Sequence, residues 1–299
     1  MNILVTGASG LIGQALLPVL KTGGHRVTCL VRFKPRGGES LVYWDPAGGE
    51  IDAPALEGFD AAVHLAGDPI TGRWNAAKKR AIRESRVKST RLLCETLARL
   101  SHRPRVLVAA SASGYYGNRG DEELREESGA GSSFLSQVSQ EWEAATLPAT
   151  EGGIRGVNLR FGFVLSRAGG GLAKMLPAFK MGVGGKIGSG RQYLSWIAID
   201  DLVQIILFAI TTETLRGPVN AVAPNPDTNL EFTKTLGRVL GRPAIFPMPA
   251  FAVRLAFGEM GKELLLDSAR IEPARLLSAG YQFRFAQLEG ALRHLLRSG

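Results

Sequence analysis

Apolar and polar positions alternate in blocks along the first two-thirds of the chain. Short runs rich in aliphatic and β-branched residues predict strands at residues 2–6, 26–31, 41–44, 61–65, 106–110, 157–160 and 218–222. Between them, apolar residues spaced three or four apart predict helices from Leu11 onward and over 74–100, 134–145 and 200–210. Strands separated by helices need crossover connections, and these give an α/β fold with a parallel sheet wound on both faces. Pro18 lies inside the first helix, where the missing N–H should kink it. From Ala168 to Arg191 the chain turns glycine-rich and reads as a ligand-covering loop. Beyond Pro224-Asn225-Pro226 the pattern is mostly helical with short loops, as expected of a small cap.

Composition narrows the classes. With 299 residues, 45% hydrophobic and 21% charged, the chain can bury a large core, which excludes disordered and fibrous architectures. The 36 Lys and Arg against 27 Asp and Glu give +9, raising nucleic acid, an anionic membrane or a phosphorylated ligand as partners. That excess is local: the stretch from Arg73 to Arg91 holds eight cations and one acid, Glu84. Ile82, Leu92 and Leu93 give the same stretch an apolar side, so it reads as an amphipathic helix with a wet basic face. Trp74 is its only ring, so the aromatic interleaving of single-strand binders is missing and nucleic acid is not an expected partner. The apolar run from Leu202 to Ile210 is about half the ~20 residues a span requires, and no signal peptide opens the chain. A cytoplasmic protein without a membrane partner is expected. Cys29 and Cys94 read as free thiols, and His25, His64, His102 and His294 as scattered surface or strand-edge residues without a metal.

The first strand runs directly into Gly7-Ala8-Ser9-Gly10-Leu11-Ile12-Gly13, a G-x-x-G-x-x-G turn that opens the first helix. Glycines allow the sharp turn, the approach of backbone N–H groups to a pyrophosphate and close packing of helix on strand. This is a dinucleotide-binding signature in a Rossmann-type setting. The end of the second strand indicates which dinucleotide. Val31-Arg32-Phe33-Lys34-Pro35-Arg36 has no acid to hold ribose hydroxyls and three cations suited to a 2′-phosphate, led by Arg32, with Lys34 and Arg36 behind it.

Together with His64-Leu65-Ala66-Gly67, Ser111-Ala112-Ser113-Gly114-Tyr115-Tyr116-Gly117 and Trp196-Ile197-Ala198-Ile199-Asp200-Asp201, this turn resembles the extended or atypical short-chain dehydrogenase/reductases, the NAD-dependent epimerase and dehydratase superfamily. Trp44-Asp45, Gly188-Ser189-Gly190-Arg191-Gln192 and the tail from Met248-Pro249 to Leu292 resemble its uncharacterised epimerase-family branch more narrowly. The resemblance implies NADP(H) as cofactor, and residues 1–165 and 191–223 as its binding domain. It leaves 166–190 and 224–299 as a substrate cap. It also implies that Gly7, Ser9, Gly10, Leu11, Ile12 and Gly13 hold the pyrophosphate, with Val31, Arg32 and Lys34 near the 2′-phosphate and Asp45 near the adenine. Leu65, Ala66 and Gly67 would pass beneath the ribose and Val164 would approach the nicotinamide. Arg86 would contact phosphate where many relatives carry Asn. A homodimer pairing the 74–100 helix and the next across a two-fold is a further implication.

Catalysis is where the resemblance breaks. Hydride transfer to a carbonyl leaves an alkoxide that needs a proton, which the superfamily takes from a Tyr activated by a Lys four residues later. Here Tyr43, Tyr115, Tyr116, Tyr193 and Tyr281 are followed at that spacing by Ala47, Arg119, Gly120, Ile197 and Phe285. Aligning the helix through Trp142-Glu143 puts Leu135 and Ser139 at the two positions. Ser111 survives as a candidate substrate-orienting residue, or as a strand-end cap. Tyr115 and Tyr116 are candidate proton donors, or rings packed under the cofactor domain. Two functions stay open: an NADP(H)-dependent oxidoreductase or epimerase acting on a small hydroxyl, carbonyl or nucleotide-sugar substrate, and a non-catalytic NADPH-binding protein.

Overall fold

The computed structural model describes residues 1–35 and 40–297. The first half builds β1 (Asn2–Thr6), α1 (Leu11–Thr22), β2 (Arg26–Val31), β3 (Leu41–Asp45), β4 (Glu50–Ile51), β5 (Ala61–His64), α2 (Ala76–Arg99), β6 (Val106–Ala112), β7 (Glu123–Leu124), α3 (Phe134–Ala144) and α4 (Leu147–Glu151). There follow β8 (Arg155–Phe161), β9 (Phe163–Leu165), α5 (Gly170–Lys180), β10 (Tyr193–Leu194), β11 (Trp196–Ala198), α6 (Ile199–Thr211) and β12 (Gly217–Ala221). The remainder is β13 (Asp227–Thr228), α7 (Asn229–Leu240), α8 (Ala250–Gly261), β14 (Arg270–Ile271), α9 (Ala274–Ser278) and α10 (Leu288–Arg297).

Eight strands form one sheet in the order β12-β8-β6-β5-β1-β2-β3-β4. Every neighbouring pair is parallel except β3 and β4. The alternation of side chains in β1 explains why both faces need helices. Ile3 and Val5 pack with Leu16, Leu20, Ile205 and Ile206 of α1 and α6, whereas Leu4 packs with Leu93 and Leu97 of α2. Strand order reverses at β1, whose crossovers lead to β2 on one side and eventually to β5 on the other. The connections after β1 and β5 therefore leave for opposite faces of the sheet, to α1 and α2, the arrangement that forms a ligand crevice at the strand ends of open α/β sheets.

Two expectations are corrected. The glycine-rich segment is not all loop, because α5 occupies Gly170–Lys180 with Leu172, Leu176 and Phe179 buried against Trp196 and Phe232. Its glycines cluster at the helix start and after its end, and the residues between them, Pro177 apart, tolerate a helix and carry an apolar stripe. β6 continues to Ala112, which places Ser111 inside a central strand rather than beyond it. No helix among the described residues is long and apolar enough to cross a membrane.

Candidate functional site

The glycine turn sits at the crevice. Gly7 takes a left-handed φ of 69°, and a Cβ there would lie 2.6 Å from the Leu65 carbonyl carbon and oxygen. A Cβ on Gly13 would lie 2.4 Å from the Gly7 carbonyl oxygen, so both positions require glycine for close packing of turn, helix and β5. Gly10 is the N-cap of α1 and offers no side-chain cap, and the first turn carries no acid. The N–H groups and the positive end of a 12-residue helix thus point at the crevice without an internal anion. Ser9 and Gly10 are exposed and Leu11 and Ile12 half-buried. Leu11 lies against the start of α5, where a Cβ on Gly169 would be 3.2 Å from its Cδ1.

A buried polar chain holds the opposite lip. Thr6 Oγ1 accepts the N–H groups of Leu65 (3.1 Å) and Ala66 (3.2 Å), which directs its own proton to His64 Nδ1 at 2.7 Å. His64 Nε2 then carries the imidazole proton and donates it to Thr90 Oγ1 at 2.9 Å, an atom that also accepts Trp142 Nε1–H at 2.9 Å. His64 is fully buried, and desolvation pulls its pKa down to about 4. This corrects the surface or strand-edge reading of that histidine. It cross-links β5 to α2 and fixes the path of the Leu65-Ala66-Gly67 segment.

Arg86 reaches this segment from α2. A Cβ on Gly67 would meet its guanidinium carbon at 3.3 Å, and that carbon lies 5.1 Å from the Trp142 ring centroid. Burial draws the guanidinium down to about 10, and Asp68 partly offsets this. Its guanidinium donates to the Ile82 carbonyl (3.1 Å) and weakly to Ser85 Oγ (3.5 Å), and it forms no ion pair among the described residues. A half-buried cation beside a crevice, with Asp68 near enough to act on it but not paired with it, suits a phosphate.

Next to β1, half-buried Val31 ends β2, and Arg32 and Lys34 follow it exposed, with Lys34 Nζ 5.9 Å from the Tyr43 ring centroid. Arg36 lies outside the described residues. Asp45 ends β3, where its carboxylate accepts the Ala47 N–H at 3.0 Å and packs against Gly48, organising its own turn.

At the other end, Ser111 is buried and donates to Glu143 Oε1 at 2.6 Å. Glu143 is held by Arg160 through two 2.8 Å hydrogen bonds. Arg160 also donates to the Tyr116 hydroxyl at 2.8 Å and lies 3.5 Å from the Tyr115 ring centroid. Tyr116 is fully buried, its hydroxyl bonds to Asn220 Oδ1 at 2.7 Å and the Arg125 carbonyl at 3.0 Å, and burial pushes its pKa up to about 12. The proton-donor reading of Tyr116 is therefore corrected: an inaccessible, fully bonded phenol ties β6 to β12. Tyr115 is half-buried. Val164 lies in β9, paired with Ile197 of β11, and packs with Ile12 in the core beside α1. Leu135 packs under Gly114, and Ser139 is buried, so neither presents a titratable group here. Among the described residues no cluster could hold a metal ion.

The crevice gathers the glycine turn, the Leu65-Ala66-Gly67 segment and Arg86. Arg32 and Lys34 stand at its rim, and Ser111 is tied into a polar cluster. Sequence reading missed the Glu143–Arg160 pair and Glu263. The Glu263 carboxylate reaches from the cap to accept Ser133 Oγ (2.9 Å) and the N–H groups of Phe134 (3.1 Å) and Leu135 (3.0 Å) at the start of α3. Arg160 gave one signal, a charge inside an apolar strand, which demands a buried partner. Glu263 gave none, since it caps a helix 130 residues earlier in the chain.

A family model described as the NAD dependent epimerase/dehydratase family matches residues 3–221, and a model for a domain of unknown function, DUF1731, matches residues 248–295. Epimerase family protein MT2273 of Mycobacterium tuberculosis is 44% identical over 291 residues, 97% of this chain and 96% of that protein. Human epimerase family protein SDR39U1 is 38% identical over 301 residues, 99% of this chain and 100% of its own length. The crystal structure of human SDR39U1 (isoform 2) with NADPH matches with a TM-score of 0.91 at 36% identity, covering 100% of both chains. A nucleoside-diphosphate sugar epimerase from Corynebacterium glutamicum matches with a TM-score of 0.81 at 40% identity, over 99% of this chain and 58% of that one.

Proposed function

The chain belongs to the NAD dependent epimerase/dehydratase family, and from that premise we propose that it binds NADP(H) and acts as an oxidoreductase or epimerase on a small hydroxyl, carbonyl or nucleotide-sugar substrate. The observation that carries this reading is the crevice itself. An uncapped helix N-terminus meets two glycines that admit no Cβ, at the point where strand order reverses. The NADPH in the human relative's structure supports the same choice.

In this reading the N–H groups at Leu11 and Ile12 hold the pyrophosphate, Gly10 shapes the turn by donating its own N–H to the Gly7 carbonyl at 3.0 Å, and Arg86 adds a cation from the far side. Arg32 pairs with the 2′-phosphate, supported by Lys34. Gly7 and Gly13 keep turn and helix close, Ser9 faces the ligand from the turn, and Leu65, Ala66 and Gly67 line the ribose through backbone atoms. Val31 and Asp45 bound the adenine, and Val164 bounds the nicotinamide. When bound, the cofactor supplies or accepts a hydride. The chain must then handle a proton, and Tyr115 is the half-exposed hydroxyl proposed to do so, with Ser111 orienting the substrate oxygen once it exchanges Glu143 for that partner. Residues 166–190 and 224–299 are proposed to contact the substrate.

A second reading, a cofactor-binding protein without chemistry, is favoured by one observation: Leu135 and Ser139 leave α3 without the Tyr and Lys that the family's chemistry uses. Fluorescence titration and a turnover panel separate the two. Arg32→Glu should weaken NADPH binding roughly tenfold or more under either reading, because it replaces a charge-assisted contact with repulsion. Ser111→Ala and Tyr115→Phe should lower turnover on carbonyls, alcohols or sugar nucleotides while sparing NADPH affinity. A wild-type protein that binds NADPH but neither consumes nor forms it across that panel would leave only the second reading. Unchanged NADPH affinity in Arg32→Glu would remove the 2′-phosphate assignment.

A further inference from the structure

The cap exposes an apolar surface that nothing else in the described chain covers. Two segments build it: the loop after α5 and the stretch that leads into and along α8. Backbone hydrogen bonds hold them side by side, from Phe246 N–H to the Gly184 carbonyl (3.1 Å) and from Met248 N–H to the Lys186 carbonyl (2.9 Å). Met181, Val183, Ile245, Phe246, Phe251 and Leu255 stand out of it with exposures from 51% to 84%. Single exposed apolar residues are ordinary, but six of them on two segments joined by backbone hydrogen bonds mark a contact surface. α8 shows why it is bare. Only Val253, Met260 and Gly261 of that helix are buried, although it is apolar nearly all round.

Charge selects the occupant. Residues 180–188 and 242–257 contain Lys180, Lys186, Arg242 and Arg254 and no acid. None of the four is in an ion pair among the described residues. The far end of α8 rests on the basic start of α2 through the Lys79–Glu259 ion pair and the Gly72 N–H to Met260 Sδ contact (3.3 Å), so exposed Arg73 and Arg80 extend the cationic margin. A two-fold dimer through this patch would set the same rim of cations against its own copy, which opposes association. An anionic bilayer answers both parts of the surface, with acyl chains for the rings and aliphatic tips and negative headgroups for the rim. We propose that this face of the cap docks on an anionic lipid surface, with α8 lying in the headgroup region and not crossing it. The expectation of no membrane partner came from the lack of a spanning segment, which a peripheral face does not need.

Co-sedimentation of the 299-residue chain with vesicles of phosphatidylcholine alone, and with phosphatidylserine added, tests the proposal. The chain should pellet with the anionic vesicles and not with the neutral ones, and rising salt should release it. The double variant Phe251→Ser/Leu255→Ser should bind them about tenfold or more weakly, while keeping the wild-type melting temperature and NADPH affinity. Should that pair fail to fold, Leu255→Glu alone carries the test, because Leu255 is 84% exposed and supports little of the core. Three results would overturn the proposal. These are equal binding to both vesicle types, undiminished binding by the folded variant, and a solution dimer in analytical ultracentrifugation that the same variant dissociates.

Discussion

His64 shows how one residue couples the strand end to stability. Its imidazole is fully buried with both nitrogens engaged, and its pKa of about 4 lies below the ordinary 6.5. The unfolded chain therefore takes up a proton before the folded one does, so the stabilisation is complete above about pH 6.5 and drains away as pH falls toward about 4. The shift corresponds to roughly 3 kcal/mol from this group across that window. Urea midpoints measured from pH 7 to pH 4.5 should fall for the wild type. In His64→Gln, which cannot titrate, they should start lower and fall less steeply. A parallel decline in both proteins would remove His64 as the cause. In the sequence, this histidine is one polar residue closing a short apolar strand. The hydroxyls of Thr6 and Thr90, which give it a role, lie 58 and 26 residues away.

Among the elements, α3 is the one whose start depends on the cap. Ser133 accepts the Ser136 N–H at 3.3 Å, and Glu263 accepts two further N–H groups and the Ser133 hydroxyl. A carboxylate at a helix N-terminus satisfies orphan donors and complements the helix dipole. Removing it in Glu263→Ala should cost about 1–2 kcal/mol, read as a lower denaturant midpoint, and Glu263→Gln should recover part of the loss. Because that bond joins cap to sheet domain, limited proteolysis in Glu263→Ala should open sites near 262–266 first. The helices and parallel strands were legible from periodicity, since each must bury one stripe or both faces whatever its neighbours are. α5 was not, because glycines at its start and after its end mask a helix whose stripe has meaning only against Trp196 and Phe232.

For the whole molecule, the +9 charge divides into places with different uses: the rim of the proposed cofactor crevice, the basic face of α2 and the border of the apolar cap surface. A ligand that binds only the folded state stabilises it by about 2.7 kcal/mol at a hundredfold excess over its Kd. Saturating NADPH should therefore raise the Tm by several degrees, NADH at equal concentration by less, and Arg32→Glu should erase the difference. Equal shifts by the two cofactors in the wild type would show that the 2′-phosphate is not read. By itself the sequence determined the parallel doubly wound sheet, the glycine turn and the acid-free end of β2, because backbone sterics, burial periodicity and local charge are properties of adjacent residues. Only the tertiary structure decided that Tyr116 is locked beneath Arg160, that Ser111 is engaged by Glu143, that Arg86 lies against Gly67 and that α8 is left bare. Those outcomes depend on groups distant in the chain meeting at low dielectric or failing to meet at all, and no local pattern encodes that.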